Sequence, residues 1–302
     1  MKRVLITGAT GLIGQEIVNV CKQENIPVHY LTTSKHKLEN QAYYKGFYWN
    51  PKTKEIDLNC FDGVDTIINL AGATISKRWT SDYKKVILSS RTETAQLLYD
   101  VIQKHKFPVQ QIVSASAIGV YPDSQTNYYE ESFEGVSDSF LGTVVQQWEN
   151  AVNRFEQLGI TVSKIRVGLV LSDKGGALPQ IVKPVRYGVG AAFGTGEQWQ
   201  SWIHIDDLAK LFFFLAENKL GGIYNGVAPN PVSNSELTKT VAKVLKKPLI
   251  LPNIPKFAMK LVLGEMHILL FESQRVSSSK TESKGFDFEY HHLEPALEDL
   301  LA

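Results

Sequence analysis

Cysteine is nearly absent: Cys21 and Cys60 are the only two in 302 residues, and they do not form a Cys-x-x-Cys pair. That excludes a disulfide framework and a thiolate metal site. Histidine is sparse as well. The seven present show no His-Glu-x-x-His or other paired ligand spacing, so no metal is expected. Neither sign of charge is in excess: a net charge of +1 with 21% charged residues argues against a nucleic-acid face or a polybasic membrane patch. The most apolar stretch, Leu208 to Leu215 with Phe212-Phe213-Phe214 inside it, falls far short of the roughly 20 residues a bilayer span needs. There are no repeats, no low-complexity tracts and no Gly-x-Ser-x-Gly nucleophile elbow. The amino terminus enters a strand pattern at once, which leaves no room for a signal or transit peptide. The expectation is a reduced, cytoplasmic protein, monomeric or homodimeric, with a small-molecule substrate and neither nucleic acid nor membrane as partner.

What the chain does have is a patterned first two-thirds. An apolar run, Val4-Leu5-Ile6-Thr7, feeds into Gly8-Ala9-Thr10-Gly11-Leu12-Ile13-Gly14 and then a helical pattern. Glycines at that spacing let the backbone turn sharply and approach a pyrophosphate, and the helix aims its first N–H groups at the anion. Further apolar runs lie at Val28–Leu31, Gly46–Trp49, Thr66–Leu70, Gln111–Ser116 and Val162–Val170. Helical periodicity fills Ser81–Lys104 and Phe140–Gln157, the latter burying Val144, Trp148, Ala151, Val152 and Phe155. Strands alternating with helices predict an α/β fold, a doubly wound parallel sheet of the Rossmann kind. A dinucleotide-binding domain is expected over residues 1–170, completed by about 203–228. After Leu171 glycine, proline and tryptophan become frequent, so 171–202 and 229–302 read as a smaller C-terminal substrate lobe.

The second strand decides between cofactors. NAD-preferring sheets place Asp or Glu at its end to hold the ribose hydroxyls. Here it ends Thr32-Thr33-Ser34-Lys35, with no carboxylate until Glu39. Hydroxyls and a lysine suit a 2′-phosphate, so NADP(H) is expected over NAD(H). The alternative is that Lys35 and Lys37 merely belong to a solvated loop.

Thr7 through Gly14, then Asn69-Leu70-Ala71-Gly72, Ser114-Ala115-Ser116-Ala117-Ile118-Gly119-Val120-Tyr121 and Ser201-Trp202-Ile203-His204-Ile205-Asp206-Asp207, resemble the extended short-chain dehydrogenase/reductases. More narrowly, Trp49-Asn50-Pro51, Arg78-Trp79, Ser90-Arg91, Gln147-Trp148-Glu149, Gly175-Gly176 and Gly264-Glu265 are similar to its SDR39U1-like "epimerase family protein" branch, with a DUF1731-type C-terminal region. The resemblance covers nearly the whole chain. It implies an NADP(H)-binding epimerase-, dehydratase- or reductase-like protein, with Leu70, Ala71, Gly72 and Ser114 lining the cofactor groove. It also implies that Arg91 reaches the cofactor or neighbouring backbone; an ion pair with Asp82 or Glu93 is the alternative.

Catalysis in that superfamily rests on a tyrosine and a lysine four residues later, one helical turn apart, the ammonium lowering the phenol's pKa. The resemblance puts those positions at Phe140 and Val144, and no Tyr-x-x-x-Lys occurs between Ser116 and Arg166. Ser116 and Tyr121 are the candidate substitutes, although the superfamily's hydroxyl position can instead fall on Ala117, and the place of Tyr121 in a Val-Tyr turn speaks for packing over chemistry. Glu130 and Glu131 read as cleft carboxylates or as an exposed loop. Asp206 and Asp207 are expected to cap a helix over Leu208–Glu217, and His204 to be held by hydrogen bonds. Trp199 and Trp202 read equally as a ligand wall or as core anchors. Two functions stay open: an oxidoreductase or isomerase of atypical mechanism, acting on a carbonyl or sugar-nucleotide-like substrate, and a catalytically inactive, NADP(H)-binding regulatory or scaffold protein, for example one related to cell division.

Overall fold

The computed structural model describes residues 1–302. Seven parallel strands form its centre: β1 (Val4–Thr7), β2 (Val28–Thr32), β3 (Tyr44–Asn50), β4 (Thr66–Asn69), β5 (Gln111–Ala117), β6 (Thr161–Val167) and β7 (Gly222–Gly226). Their spatial order is β7-β6-β5-β4-β1-β2-β3, with two short antiparallel additions against β3. The β-branched runs of β1 and β4 are buried along their whole length, as a sheet covered on both faces requires. α1 (Leu12–Gln23) packs against α5 (Ile205–Glu217), α2 (Ser81–His105) packs against α3 (Phe140–Asn153), and α4 (Leu178–Arg186) lies apart in a smaller core. The order reverses between β1 and β4. That is where an open α/β sheet forms its ligand crevice, at the carboxyl ends of the strands.

Three expectations shift. The last turns of the predicted 140–157 helix are a 3₁₀ segment, Arg154–Leu158, which carries Phe155 into the core. The predicted 162–170 strand leaves the sheet at Gly168, where a Cβ would lie 2.2 Å from the Ser201 carbonyl oxygen. Leu169–Leu171 then pairs with Trp202–His204 instead. Finally, α5 starts three residues early, at Ile205, because His204 caps it: its Nδ1 accepts the Asp206 N–H at 3.2 Å. Asp206 and Asp207 therefore lie inside the first turn, and the Asp207 carboxylate accepts the N–H groups of Glu289 and Tyr290, at 2.9 and 3.0 Å.

The main core follows the sheet. A separate apolar cluster joins Leu171, Leu178 and Trp202 to Leu237, Val241 and Leu297. Trp202 is wholly buried there, its Nε1 donating to the Asn230 oxygen, which makes it a core anchor. No helix is long and apolar enough to cross a membrane.

Candidate dinucleotide and substrate site

At the end of β1, Gly8 adopts a φ of +76°, and the Gly11 N–H bonds back to the Gly8 oxygen at 3.0 Å. The Gln15 N–H is the first to bond within the helix, to Gly11 at 2.9 Å. The amides of Leu12, Ile13 and Gly14 are thereby left at the helix N-terminus without helical acceptors. No acidic residue occupies that first turn. Gly14 is sterically obligatory, since a Cβ there would stand 2.2 Å from the Gly8 oxygen and 2.7 Å from the Ala9 Cα. The result is a tight cradle of free N–H groups at the positive end of a helix, a fit for a pyrophosphate.

A row of hydrogen bonds underlies this cradle. The Thr7 hydroxyl accepts from the Leu70 and Ala71 amides at 3.0 Å each and donates to Asn69 Oδ1 at 2.8 Å. Asn69 Nδ2 donates to the Ser114 hydroxyl at 3.0 Å. Strand register places the three side by side, Thr7 opposite Asn69 and Asn69 opposite Ser114. Ser114 is fully buried in this row, so it braces the floor and offers a ligand no surface. Leu70, Ala71 and Gly72 run beside the turn, with Leu70 atoms 3.2 Å from where a Gly8 Cβ would be.

The loop after β2 keeps the β2 end free of carboxylates. Thr32 is buried and its hydroxyl accepts the Ser34 N–H at 3.2 Å, whereas Thr33 and Lys35 are exposed. Lys35 Nζ lies 4.9 Å from the centroid of the Tyr48 ring. Arg91, on α2, pairs with neither Asp82 nor Glu93. Its Nη1 donates to the Ala73 and Ile87 oxygens at 3.2 and 2.9 Å, and its guanidinium covers the Trp148 ring at 5.1 Å. Burial without a carboxylate lowers its pKa to about 10.

The candidate hydroxyls lie in a second, deeper network. Ser116, Arg166 and Asn225 are register neighbours on β5, β6 and β7. Ser116 donates to Glu149 Oε1 at 2.6 Å, and Arg166 grips the same carboxylate through Nε at 3.0 Å and Nη2 at 3.1 Å. The Tyr121 hydroxyl accepts from Arg166 Nη1 at 3.0 Å and donates to Asn225 Oδ1 at 2.8 Å, with its ring stacked on Tyr129. Tyr121 is 0% exposed and Ser116 3%. Both hydroxyls are spent inside the protein. Glu131, half-buried, accepts the Asn225 N–H at 2.7 Å, while Glu130 is exposed. Burial raises the Glu131 pKa, against the lowering effect of that N–H.

Phe140 and Val144 project from α3 into an apolar cluster with Trp79, Ile87 and Met266. Phe140 meets Trp79 edge-on at 5.2 Å. Over the same Phe140 ring, 5.0 Å from its centroid, stands Lys84 Nζ, which is ion-paired to Glu265 from the C-terminal region. Sequence reading missed Lys84 and Asn225, which nothing local marks, and left Glu149 and Glu265 without roles although the Trp148-Glu149 and Gly264-Glu265 motifs singled them out. His204 is buried and stacked on Tyr290 at 4.0 Å, with Nε2 3.3 Å from Asp299 Oδ2. Trp199, at the rim, is covered by the Arg275 guanidinium at 4.5 Å. No three His, Cys, Asp or Glu side chains gather closely enough to hold a metal ion.

Comparison with known proteins agrees with this geometry. Residues 4–225 match the NAD dependent epimerase/dehydratase family, and residues 254–300 match a domain of unknown function, DUF1731. The chain is 36% identical over 307 residues to the epimerase family protein SAR0825 of Staphylococcus aureus, covering 100% of both. It superposes on the human epimerase family protein SDR39U1, solved with NADPH, at a TM-score of 0.84 and 28% identity, covering 99% of this chain and 98% of that one. A nucleoside-diphosphate sugar epimerase from Corynebacterium glutamicum gives a TM-score of 0.79 at 28% identity, covering 99% of this chain but 58% of the other.

Proposed function

The chain belongs to the NAD dependent epimerase/dehydratase family, and from that premise we propose that it binds NADP(H) and acts as a reductase- or epimerase-like enzyme on a carbonyl or sugar-nucleotide-like substrate. The observation that carries the reading is the cradle from Gly8 to Gly14 facing a β2 end with hydroxyls and Lys35 but no carboxylate. In this reading the Leu12, Ile13 and Gly14 amides hold the pyrophosphate, while Thr33, Ser34 and Lys35 hold the 2′-phosphate. Arg91, braced on Ala73, presents its remaining N–H groups to the cofactor groove. The nicotinamide of a bound NADP(H) would supply hydride chemistry there.

The proton has to come from elsewhere than the usual tyrosine, because Phe140 has none to give. We assign it to Lys84. Its ammonium stands over the Phe140 ring, and Glu265 holds it there. On reduction of a carbonyl, the proton leaves Nζ for the carbonyl oxygen and is replaced from water. A second reading, a protein that senses NADP(H) without turning it over, is favoured by the Ser116 and Tyr121 hydroxyls being fully engaged.

One experiment separates the two. Purified protein is mixed with NADPH and a panel of aldehydes, ketones and oxidised sugar nucleotides, and absorbance loss is followed beside NADPH binding by thermal shift. Turnover that falls at least a hundredfold in Lys84→Met, with NADPH binding retained, supports the enzyme. NADPH binding without oxidation of any panel member supports the sensor. No NADPH binding overturns both.

A further inference from the structure

The amino ends of the strands carry a second cavity, of about 350 Å³, on the opposite rim of the sheet from the glycine turn. Arg3, His29 and Lys45 line it. Register explains their convergence. His29 of β2 stands directly opposite Lys45 of β3 and, on its other side, opposite Leu5 of β1. Alternation along a strand puts Arg3, two residues before Leu5, on that same face. Phe47 forms the floor: its ring centroid is 4.7 Å from that of His29, and Lys45 Nζ stands 5.2 Å above it.

This cluster has more positive charge than its surroundings balance. Arg3 and Lys45 enter none of the ion pairs in the protein. Arg3 gives its Nη1 to the backbone oxygen of Asp62, and its Nε is buried without a hydrogen-bond partner. Asp62 supplies the one carboxylate among the lining residues. His29 uses one nitrogen, Nδ1, on the Cys60 oxygen at 2.9 Å. Burial pushes its pKa below the ordinary imidazole range, Arg3 and Lys45 push it further, and the Cys60 carbonyl and Asp62 act in the opposite sense.

We propose that this cavity is a second ligand site, taking a small oxyanion such as phosphate or the phosphoryl group of a metabolite. Arg3 and Lys45 supply the charge, and His29 becomes a donor when the anion is seated. The site stands apart from the dinucleotide cradle and does not depend on that assignment.

The test is a titration of the full-length protein with inorganic phosphate at constant ionic strength. Heat is read calorimetrically, and the His29 imidazole is followed by NMR, with and without saturating NADPH. The expected result is saturable binding with a Kd below about 1 mM, a raised His29 titration midpoint, and no competition from NADPH. Sulfate, whose charge is fixed over this pH range, should raise the midpoint likewise, which separates the imidazole's response from phosphate's own titration. Glycerol phosphate binding more tightly than free phosphate would identify a metabolite head group as the source; weaker binding would identify the free ion. Lys45 is exposed, so Lys45→Gln keeps the fold. It should weaken binding by about tenfold, the share of one charge-assisted contact. Binding that does not saturate, that is unchanged in Lys45→Gln, or that NADPH displaces overturns the proposal.

Discussion

Glu149 and Arg166 face each other in a two-pronged ion pair inside the protein, Nε to Oε1 at 3.0 Å and Nη2 to Oε2 at 3.1 Å. The pair joins α3 to the sheet. Burial alone would raise the Glu149 pKa, but the Arg166 hydrogen bonds and charge, with Ser116 and Lys164, leave it lowered. A carboxylate with a depressed folded-state pKa adds stability that is present above its unfolded value. That stability is lost as pH falls through the folded one. Glu149→Gln should therefore lower Tm strongly at pH 7, by roughly 3 to 5 kcal/mol in unfolding free energy as for a broken buried pair. The gap to wild type should shrink as pH falls below the unfolded carboxylate value of 4.5 toward the lowered folded one. Chemical denaturation at pH 7 and pH 3.5 checks both parts. An equal gap at the two pH values contradicts the assignment.

Tyr121→Phe removes a hydroxyl that both accepts from Arg166 and donates to Asn225. The expected cost is roughly 1 to 3 kcal/mol, the price of two buried polar atoms losing a partner. NADPH affinity should stay as it is. A variant of unchanged stability that loses turnover would return Tyr121 to the chemistry.

Gly14→Ala is expected to abolish NADPH binding and to destabilise by roughly 2 kcal/mol or more, since the new methyl meets backbone on two sides. Gly175→Ala is the matched control. Its nearest neighbour would be a flexible Leu12 methyl at 3.7 Å, so thermal shift with NADPH should be almost unchanged.

Lys35→Glu puts a carboxylate where a 2′-phosphate is proposed to sit. Affinity for NADPH should fall by at least about tenfold, while affinity for NADH stays level or rises. Direct titration of both cofactors decides it. Equal losses for the two would show that Lys35 does not read the phosphate.

Glu272 gives a prediction with the opposite pH sense. Burial, then Asp123 and Asp138, raise its pKa to about 7. A raised folded-state pKa means stability that is full below the unfolded value near 4.5 and is lost as pH rises through about 7. Glu272→Gln should match wild type in Tm at pH 4.5 and exceed it at pH 8. A variant that is less stable at pH 8 would rule out the buried-acid reading.

The strands were readable because β1 and β4 are rich in β-branched residues and β5 carries Ile112-Val113 near its start, each bounded by turn signals, and the cradle because only glycine fits at Gly14 against the Gly8 oxygen. The Ser116–Arg166–Asn225 row was not readable. Serine, arginine and asparagine on separate segments look like surface residues, and only strand register reveals that they are neighbours across three strands. Lys84 and Glu265 are 181 positions apart, beyond any local pattern. The start of α5 was misplaced because a histidine did the capping that aspartates more often do.

Gly168 sits where the chain passes from one core to the other. On one side Val167 lies in the sheet opposite Gly226, and on the other the Leu169 N–H bonds to Ser201 at 2.8 Å. The passage takes a single residue, so this crossing has no slack. A Cβ at position 168 would meet the Ser201 oxygen on one side and the Val227 side chain on the other, so any side chain here forces the two cores apart. Farther out, the Ser172–Ala177 loop reaches over to α1, where Lys174 meets Glu16 at 2.7 Å. A substitution at Gly168 that displaces Leu169–Leu171 would therefore reach this loop, and through it the helix that carries the glycine turn.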